Sequence, residues 1–411
     1  MDLGDFSLDK FNSEIPAKCI SIPQERIKSS LDDLKSLLLN LTKQNCIIQS
    51  DKPGFKNILL APDAEIPSSY SIYEVTEIKV QKTYLNYTYA EAMRILLPEN
   101  MTIPTGFETI GHIAHFNLTH EQFPYRYLVG KVLINKTPNI KTVVCKVSKI
   151  DNVFRTFKME IVAGNPDCYT IVNEGSCRFG FDFQEVYWNS KLSKERDRVL
   201  ASIDPKDIIC DAFAGVGPFA LRAAKKGCKV IANDLNPSSY KYLIQNSARN
   251  KVKTHVAGFN LDAREFLKKF LQTPRQVPPT EDLSKIQDFS YLPSTFDHLY
   301  MNLPMDAIEF LDILRGSFDR TIWTKLPTVH VYGFANESNS GYILTDRLLQ
   351  IWGPFDTSCI QIIQVRDVSP RKFMYCLEFI VPETIAFTDE KHMRVELQDF
   401  PIKKQKLHEQ E

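Results

Sequence analysis

The chain has 411 residues, a net charge of zero and 43% hydrophobic residues, which fits two or three domains with ample material for their cores. The neutral balance excludes a global electrostatic pull toward nucleic acid or membrane. Nine cysteines without a Cys-x-x-Cys pair argue against a zinc site and for reduced thiols in an intracellular protein.

No apolar run approaches the length of a membrane span. The opening Met1-Asp-Leu-Gly-Asp-Phe6 lacks the arginine-rich, acid-poor composition of a mitochondrial presequence. Residues 1–24 are polar, contain Pro16 and Pro23, and are expected to lie extended over a surface. Ile27, Leu31, Leu34, Leu38 and Leu41 fall at helical spacing and predict an amphipathic helix over 25–43. Residues 45–60 alternate around Pro53-Gly54, a turn between two strands. Residues 65–84 are β-like, and 89–97 are helical up to Pro98. The segment Phe107 to Leu118 alternates like a strand, and a helix follows over 121–134. His112 and His115 sit three apart, a metal-pair spacing for a helix. In a strand they read as structural or substrate-contacting imidazoles, so no metal is assigned.

From Arg126 to Lys158 eight basic residues face Asp151 as the acid opposing them, a stretch suited to phosphate contacts or to a solvated charged face. Successive strands are expected over 142–172, with Gly164-Asn-Pro-Asp167 as a turn, then a hairpin-like piece over 176–187 and a helix over 192–203. The next stretch dominates the chain. Asp207-Ile-Ile-Cys-Asp-Ala-Phe-Ala-Gly-Val-Gly-Pro-Phe219 is an apolar run ending in Asp211, followed by Gly215, Gly217 and an amphipathic run from Ala220. It reads as strand, tight turn and helix, with free helix N–H groups facing an electron-rich or anionic ligand. A second short run, Lys229-Val-Ile-Ala-Asn-Asp234, ends in an acid that can accept hydrogen bonds from ribose hydroxyls. A structural turn with a buried acid is the alternative. Helix 237–250, strand 254–259, helix 263–271, a polar, proline-rich insert over 273–293, strand 296–302, helix 306–315, strand 328–335 and helix 340–352 follow. The apolar runs 359–368 and 373–381 then form a closing antiparallel hairpin. Alternating βα units with a terminal hairpin give an α/β sheet.

Asp-x-Phe-x-Gly-x-Gly-x-Phe, Asn-Asp-x-Asn-Pro and Asn302-Leu-Pro304, all at strand ends, resemble a class I S-adenosylmethionine-dependent methyltransferase with a Rossmann-like sheet. Phe154 to Asn165, Glu185 to Arg198, Gly111 to Leu118 and Asn302-Leu-Pro304 together resemble the archaeal and eukaryotic tRNA (guanine-N1)-methyltransferase, over about residues 104–383. The resemblance implies methylation of guanosine at tRNA position 37, 3′ of the anticodon, in support of reading-frame maintenance. It implies upstream α+β RNA-binding parts: an N-terminal domain over 1–103, a β-rich domain over 104–190 bridging tRNA and active site, the methyltransferase domain over 191–383 and a tail over 384–411. The protein is expected to be a monomer, to bind tRNA and no membrane, and to be cytoplasmic; the family adds nucleus and mitochondrial matrix.

Guanine N1 carries a proton, so its lone pair is not free to attack a methyl group. A base must take that proton, and a donor must stabilise the charge growing on O6. The resemblance places Glu195 as base, Arg155 at O6, Asn302 beside the target base and Pro304 in the same loop. It places the cofactor against Phe213, Gly215, Gly217, Asp234, Leu235, Asp262, Ala263 and Asn302. Asp234 is to hold the ribose and Asp262 the adenine amine. Lys191, where some relatives have arginine, is to meet the methionine carboxylate, and Tyr187 is to stack on guanine or adenine. From the residues alone, Glu195 is equally a member of an ion-paired surface helix with Lys191, Arg196 and Arg198. Arg155 is equally a phosphate contact, and Tyr187 and Trp188 are equally core. The alternative functions are the related aminocarboxypropyl transferase of the wybutosine pathway and a catalytically silent RNA-binding module.

Overall fold

The computed structural model describes residues 7–147, 158–275, 282–336 and 341–388. The chain divides into two compact units, residues 1–149 with 158–167, and residues 150–157 with 168–411.

The first unit holds two four-stranded sheets. In one, β1 (Ser13–Pro23), β2 (Ile47–Gln49), β3 (Phe55–Leu60) and β4 (Val75–Lys82) lie in the order β2-β3-β1-β4. The polar start is therefore extended but not a surface strap. From Ala17 to Ile22, β1 buries Ala17, Cys19, Ile20 and Ile22 as a central strand. Its prolines fit because each falls where β1 has one neighbour. β3 pairs only with Lys18–Pro23 and β4 only with Ser13–Ile20, so Pro16 and Pro23 remove no shared ladder bond. The helix expected over 25–43 is also shorter. α1 runs Ile27–Asp33, and Leu38 is extended (φ −62°, ψ 144°) and bridges Leu60. The open edge of β3 offers backbone partners to Leu38 and Leu39, and this tertiary pairing overrides the helical period.

The second sheet has the order β5-β6-β7-β8, from β5 (Phe107–Ile110), β6 (Ile113–Phe116), β7 (Thr142–Lys146) and β8 (Met159–Gly164). The single strand expected at 107–118 is a hairpin turning at Gly111, where φ is +58°. Helix α3 (Arg126–Lys136) packs on it, and α2 (Tyr89–Leu96), with a Thr88–Glu91 capping box, packs against α3. Part of the basic stretch is used inside this unit. Arg126 pairs with Glu160 at 2.8 Å, and Lys136 donates to the Tyr84 carbonyl and sits over its ring.

The second unit is built on a seven-stranded sheet. Its strands are β11 (Ile208–Asp211), β12 (Lys229–Asn233), β13 (Val256–Phe259), β14 (His298–Met301), β15 (Thr328–Asn336), β16 (Gln361–Ser369) and β17 (Lys372–Ile380). The order is β13-β12-β11-β14-β15-β17-β16, parallel except for β17. The order reverses at β11, so the carboxyl ends of β11 and β14 border the crevice where such sheets bind ligands. α4 (Ser193–Ser202), α5 (Ala220–Lys226), α6 (Pro237–Arg249), α7 (Ala263–Gln272), α8 (Tyr342–Trp352) and α9 (Glu383–Ala386) accompany the sheet.

The stretch 168–190, grouped from the sequence with the bridging domain, packs with this sheet. The hairpin of β9 (Tyr169–Glu174) and β10 (Cys177–Asp182) docks on α6 through two side-chain amides. Asn246 accepts from Gly180 N–H, and Asn250 both accepts from and donates to the Arg178 backbone, all at 2.8 Å. The expected insert is a loop only in part. Leu283, Ile286, Phe289 and Leu292 enter the main hydrophobic core. Residues 276–281 lie outside the described set.

Candidate active site

The turn after β11 forms the floor of the site. Gly215 (φ +56°) donates its N–H to Asp234 Oδ2 at 2.8 Å, and Asn236 N–H donates to Oδ1 at 2.9 Å. A Cβ on Gly215 would meet nothing within 4 Å, so open space lies over that turn. Gly217 (φ +93°) differs, because a Cβ there would lie 2.7 Å from Leu221 and 2.8 Å from Leu243. One glycine leaves room for a ligand and the other lets α5 and α6 pack. Burial pushes the Asp234 carboxyl up to about 6.

Asn233, wholly buried, ties three strand ends. Its amide donates to the Ala212 and Leu261 carbonyls and accepts from Leu261 N–H. Asp262 is the N-cap of α7, with Oδ1 accepting from Arg264 N–H at 2.9 Å. Leu235 is exposed beside Asp234, and Ala263 is buried in the first turn of α7. Phe213 packs edge-on against Phe310 at 5.2 Å. These residues follow the carboxyl ends of β11, β12 and β13 and form an acid-bearing cradle there.

Asn302 immediately follows β14. Its Oδ1 is buried and has no hydrogen-bond partner among the described residues, an acceptor that a bound N–H would satisfy. The loop is fixed by Phe334 N–H to the Pro304 carbonyl (3.2 Å) and Ala307 N–H to the Leu303 carbonyl (2.8 Å). An unpartnered acceptor, an open glycine and a carboxylate at the end of the second strand fit an adenosyl cofactor.

Glu195 lies in the first turn of α4 and is 7% exposed, so it is no surface residue. Arg198 grips it through two bonds of 2.9 Å, and Tyr332 of β15 donates to Oε1 at 2.8 Å. These donors take three of the roughly four acceptor positions of a carboxylate, leaving one on Oε2. Arg196, the other nearby cation, turns away to Glu174 at 2.7 Å. Tyr187 is exposed and receives a hydrogen bond from Asn189 at 3.1 Å. Asn189 also caps the turn holding exposed Lys191. Trp188 is core, stacked on Phe181 at 4.9 Å. Arg155 lies outside the described residues.

Sequence reasoning assigned no role to Asp211, Tyr332, Glu378 or His330, and it weighed Arg198 only as a surface partner. Asp211, 1% exposed, has its carboxyl pushed up to about 8 by burial. It closes the first strand, and that position was its signal. Tyr332, His330 and Glu378 belong to strands whose pairing the sequence does not display.

Comparison with known proteins supports the same reading. The family described as TRM5/TYW2 methyltransferase domain matches residues 170–279, and TYW2 N-terminal domain matches 89–167. A protein of Batrachochytrium dendrobatidis named tRNA (guanine(37)-N(1))-methyltransferase is 36% identical, over 93% of this chain and 89% of its own. One of the same name from Phytophthora infestans is 41% identical, over 76% of this chain and 71% of its own. The crystal structure of wild-type Trm5b from Pyrococcus abyssi has a TM-score of 0.59 at 25% identity, covering 88% of this chain and 98% of that one. The complex of aTrm5 and tRNALeu shares the fold, with a TM-score of 0.64 at 19% identity, covering 89% of this chain and 99% of that one.

Proposed function

The chain belongs to the tRNA (guanine(37)-N(1))-methyltransferase family, and from that premise we propose how its residues divide the reaction. The protein is an enzyme that transfers a methyl group from S-adenosylmethionine to N1 of guanosine 37 in tRNA. Bound, the cofactor supplies an electrophilic methyl group. Asp234 accepts from the ribose hydroxyls, Gly215 lets the backbone pass close beneath the nucleoside, and Gly217 shapes the same turn by letting α5 and α6 pack behind it. Phe213, Leu235 and Ala263 flank it, and Asp262, with Oδ1 engaged as a helix cap, offers Oδ2 to the adenine amine. Lys191 meets the methionine carboxylate.

Glu195 is the general base. It takes the N1 proton on the remaining acceptor position of Oε2, while Arg198 and Tyr332 hold the carboxylate in place. As N1 loses its proton, negative charge grows on O6, and Arg155 stabilises it. Asn302 Oδ1 accepts an N–H from the target base, Pro304 shapes the loop around it, and Tyr187 stacks on a purine face. Guanosine must leave the anticodon-loop stack at a cost of a few kcal/mol. The first unit, with exposed Lys141 and Lys158, contributes to the grip on tRNA that offsets this cost. The chain acts as a monomer, with the tRNA-binding parts and the site on one polypeptide. No helix of the described residues is long and apolar enough to cross a membrane.

The observation that carries the base assignment is the buried, three-times-bonded Glu195 with one acceptor position left. Glu195→Gln should slow single-turnover transfer roughly 10²- to 10⁴-fold at neutral pH, with cofactor and tRNA affinities retained. Weakened binding at an unchanged transfer rate would remove Glu195 from that role. The match of residues 89–167 to the TYW2 N-terminal domain favours the aminocarboxypropyl transferase as the second reading, and product identity separates the two.

A further inference from the structure

From Arg198, which holds Glu195, a line of polar side chains runs across β17, β15 and β14 to Asp207, just before β11. Arg198 Nη1 donates to Glu378 Oε2 at 3.1 Å. Glu378 Oε2 also meets His330 Nδ1 at 3.1 Å, and His330 Nε2 meets His298 Nδ1 at 3.0 Å. His298 Nε2 meets Asp207 Oδ2 at 3.2 Å. The register explains the alignment, since His330 of β15 pairs directly with Glu378 of β17 and Tyr332 with Cys376. His330 is 1% exposed.

The hydrogens in this line can be counted. A carboxylate only accepts, so His330 Nδ1 and His298 Nε2 must both carry protons. If both rings were neutral, two lone pairs would face each other across the 3.0 Å gap. One further proton must lie between the rings, so the pair holds three protons on four nitrogens.

We propose that His330 is an imidazolium that locks Glu378, and that Glu378 in turn holds Arg198 in the position from which it orients the Glu195 carboxylate. Arg198, Glu378 and His330 are thus positioning residues for the methyl transfer, acting through the base. The proposal rests on the assignment of Glu195 given above.

The surroundings agree. Burial pushes the His298 imidazole below its ordinary value, in keeping with the charge lying on His330. The bond from His330, with Arg198 adding to it, holds the Glu378 carboxyl down at about 2. Other titratable groups face the line. Cys376 lies on β17, its thiol pushed up by burial and kept neutral, and Tyr300 and Tyr332 are buried phenols. Asp297 is matched by Lys325 at 3.4 Å. Sharing matters for the base. With Glu378 present Arg198 serves two carboxylates; without it Glu195 becomes its sole counter-ion and the guanidinium is free to shift.

Two measurements test this. Nitrogen-15 histidine NMR of the wild-type protein reads ring protonation directly, with the two rings identified by their mutual contact. One ring protonated at both nitrogens is the expected result, and two neutral rings would overturn the proposal. Single-turnover transfer by Glu378→Gln should fall about tenfold with cofactor and tRNA affinities unchanged, and the Glu195→Gln, Glu378→Gln double variant should be no slower than Glu195→Gln alone. A slow Glu195→Gln with a wild-type Glu378→Gln, or additive effects, would bring down the proposal alone. A Glu195→Gln variant transferring at the wild-type rate would bring down the base assignment and the proposal together.

Discussion

The two glycines after β11 should fail in different ways when each is given one methyl group. Both have positive φ, +56° at Gly215 and +93° at Gly217, so alanine costs about 1–2 kcal/mol at either through its Cβ and the following carbonyl. At Gly215 nothing else is added, because the new Cβ meets no atom within 4 Å. At Gly217 it would lie 2.7 Å from Leu221 Cγ, 2.8 Å from Leu243 Cδ1 and 2.9 Å from Leu221 Cδ1. Relieving that overlap in a packed core adds about 1–3 kcal/mol, for a total of about 2–5 kcal/mol. For a unit of this size each kcal/mol lowers the melting temperature by roughly 2–4 °C. Gly215→Ala should thus melt about 2–8 °C lower, and Gly217→Ala about 4–20 °C lower. Cofactor binding should follow the opposite order. The Gly215 methyl projects into the open space assigned to the nucleoside and should weaken S-adenosylmethionine binding roughly tenfold or more. Gly217→Ala, assayed well below its melting point, should bind nearly as wild type. Scanning calorimetry and titration calorimetry on the two variants measure both quantities. A Gly215→Ala protein that binds normally would refute the cradle.

Three further outcomes follow from the geometry. In the proposed binding mode ribose hydroxyls donate to Asp234, so binding requires its carboxylate form. With that carboxyl raised to about 6 by burial, cofactor affinity should fall as pH drops through about 6, approaching tenfold per pH unit below it; a flat affinity between pH 7 and 5 would contradict the ribose role. Tyr332→Phe removes one donor from Glu195 and should slow single-turnover transfer about fivefold with cofactor affinity unchanged, read by rapid quench. Asn250→Ala leaves a backbone N–H and C=O of β10 without their partner and should destabilise the second unit by about 2 kcal/mol, read by urea unfolding.

The methyltransferase sheet was legible because its strands are local. β11 ends in Asp211, and Asp234, Asp262 and Asn302 follow closely on β12, β13 and β14, so each strand is marked by a residue that announces itself within its own βα unit. β1 was not legible, because its partners β3 and β4 lie far along the chain and its prolines argue against a strand until one sees that each has a single neighbour. The helix over 25–43 misled for a related reason. Leu38 fits a helical stripe, yet its backbone and that of Leu39 complete the edge of β3. At the site, Glu195 and Asn302 were nameable from motif resemblance. Arg198 was visible only as a nearby charge. His330, Tyr332 and Glu378 become functional candidates only once β15 and β17 are paired, and a residue's cross-strand neighbour cannot be read from its own segment.

The most direct test of the central claim is methyl transfer to unmodified tRNA transcripts bearing G or A at position 37, with the product nucleoside identified by mass. N1-methylguanosine from the G transcript, and no product from the A transcript, is the predicted result. An aminocarboxypropyl adduct, or a methyl group on another nucleotide, would contradict the assignment of reaction and atom.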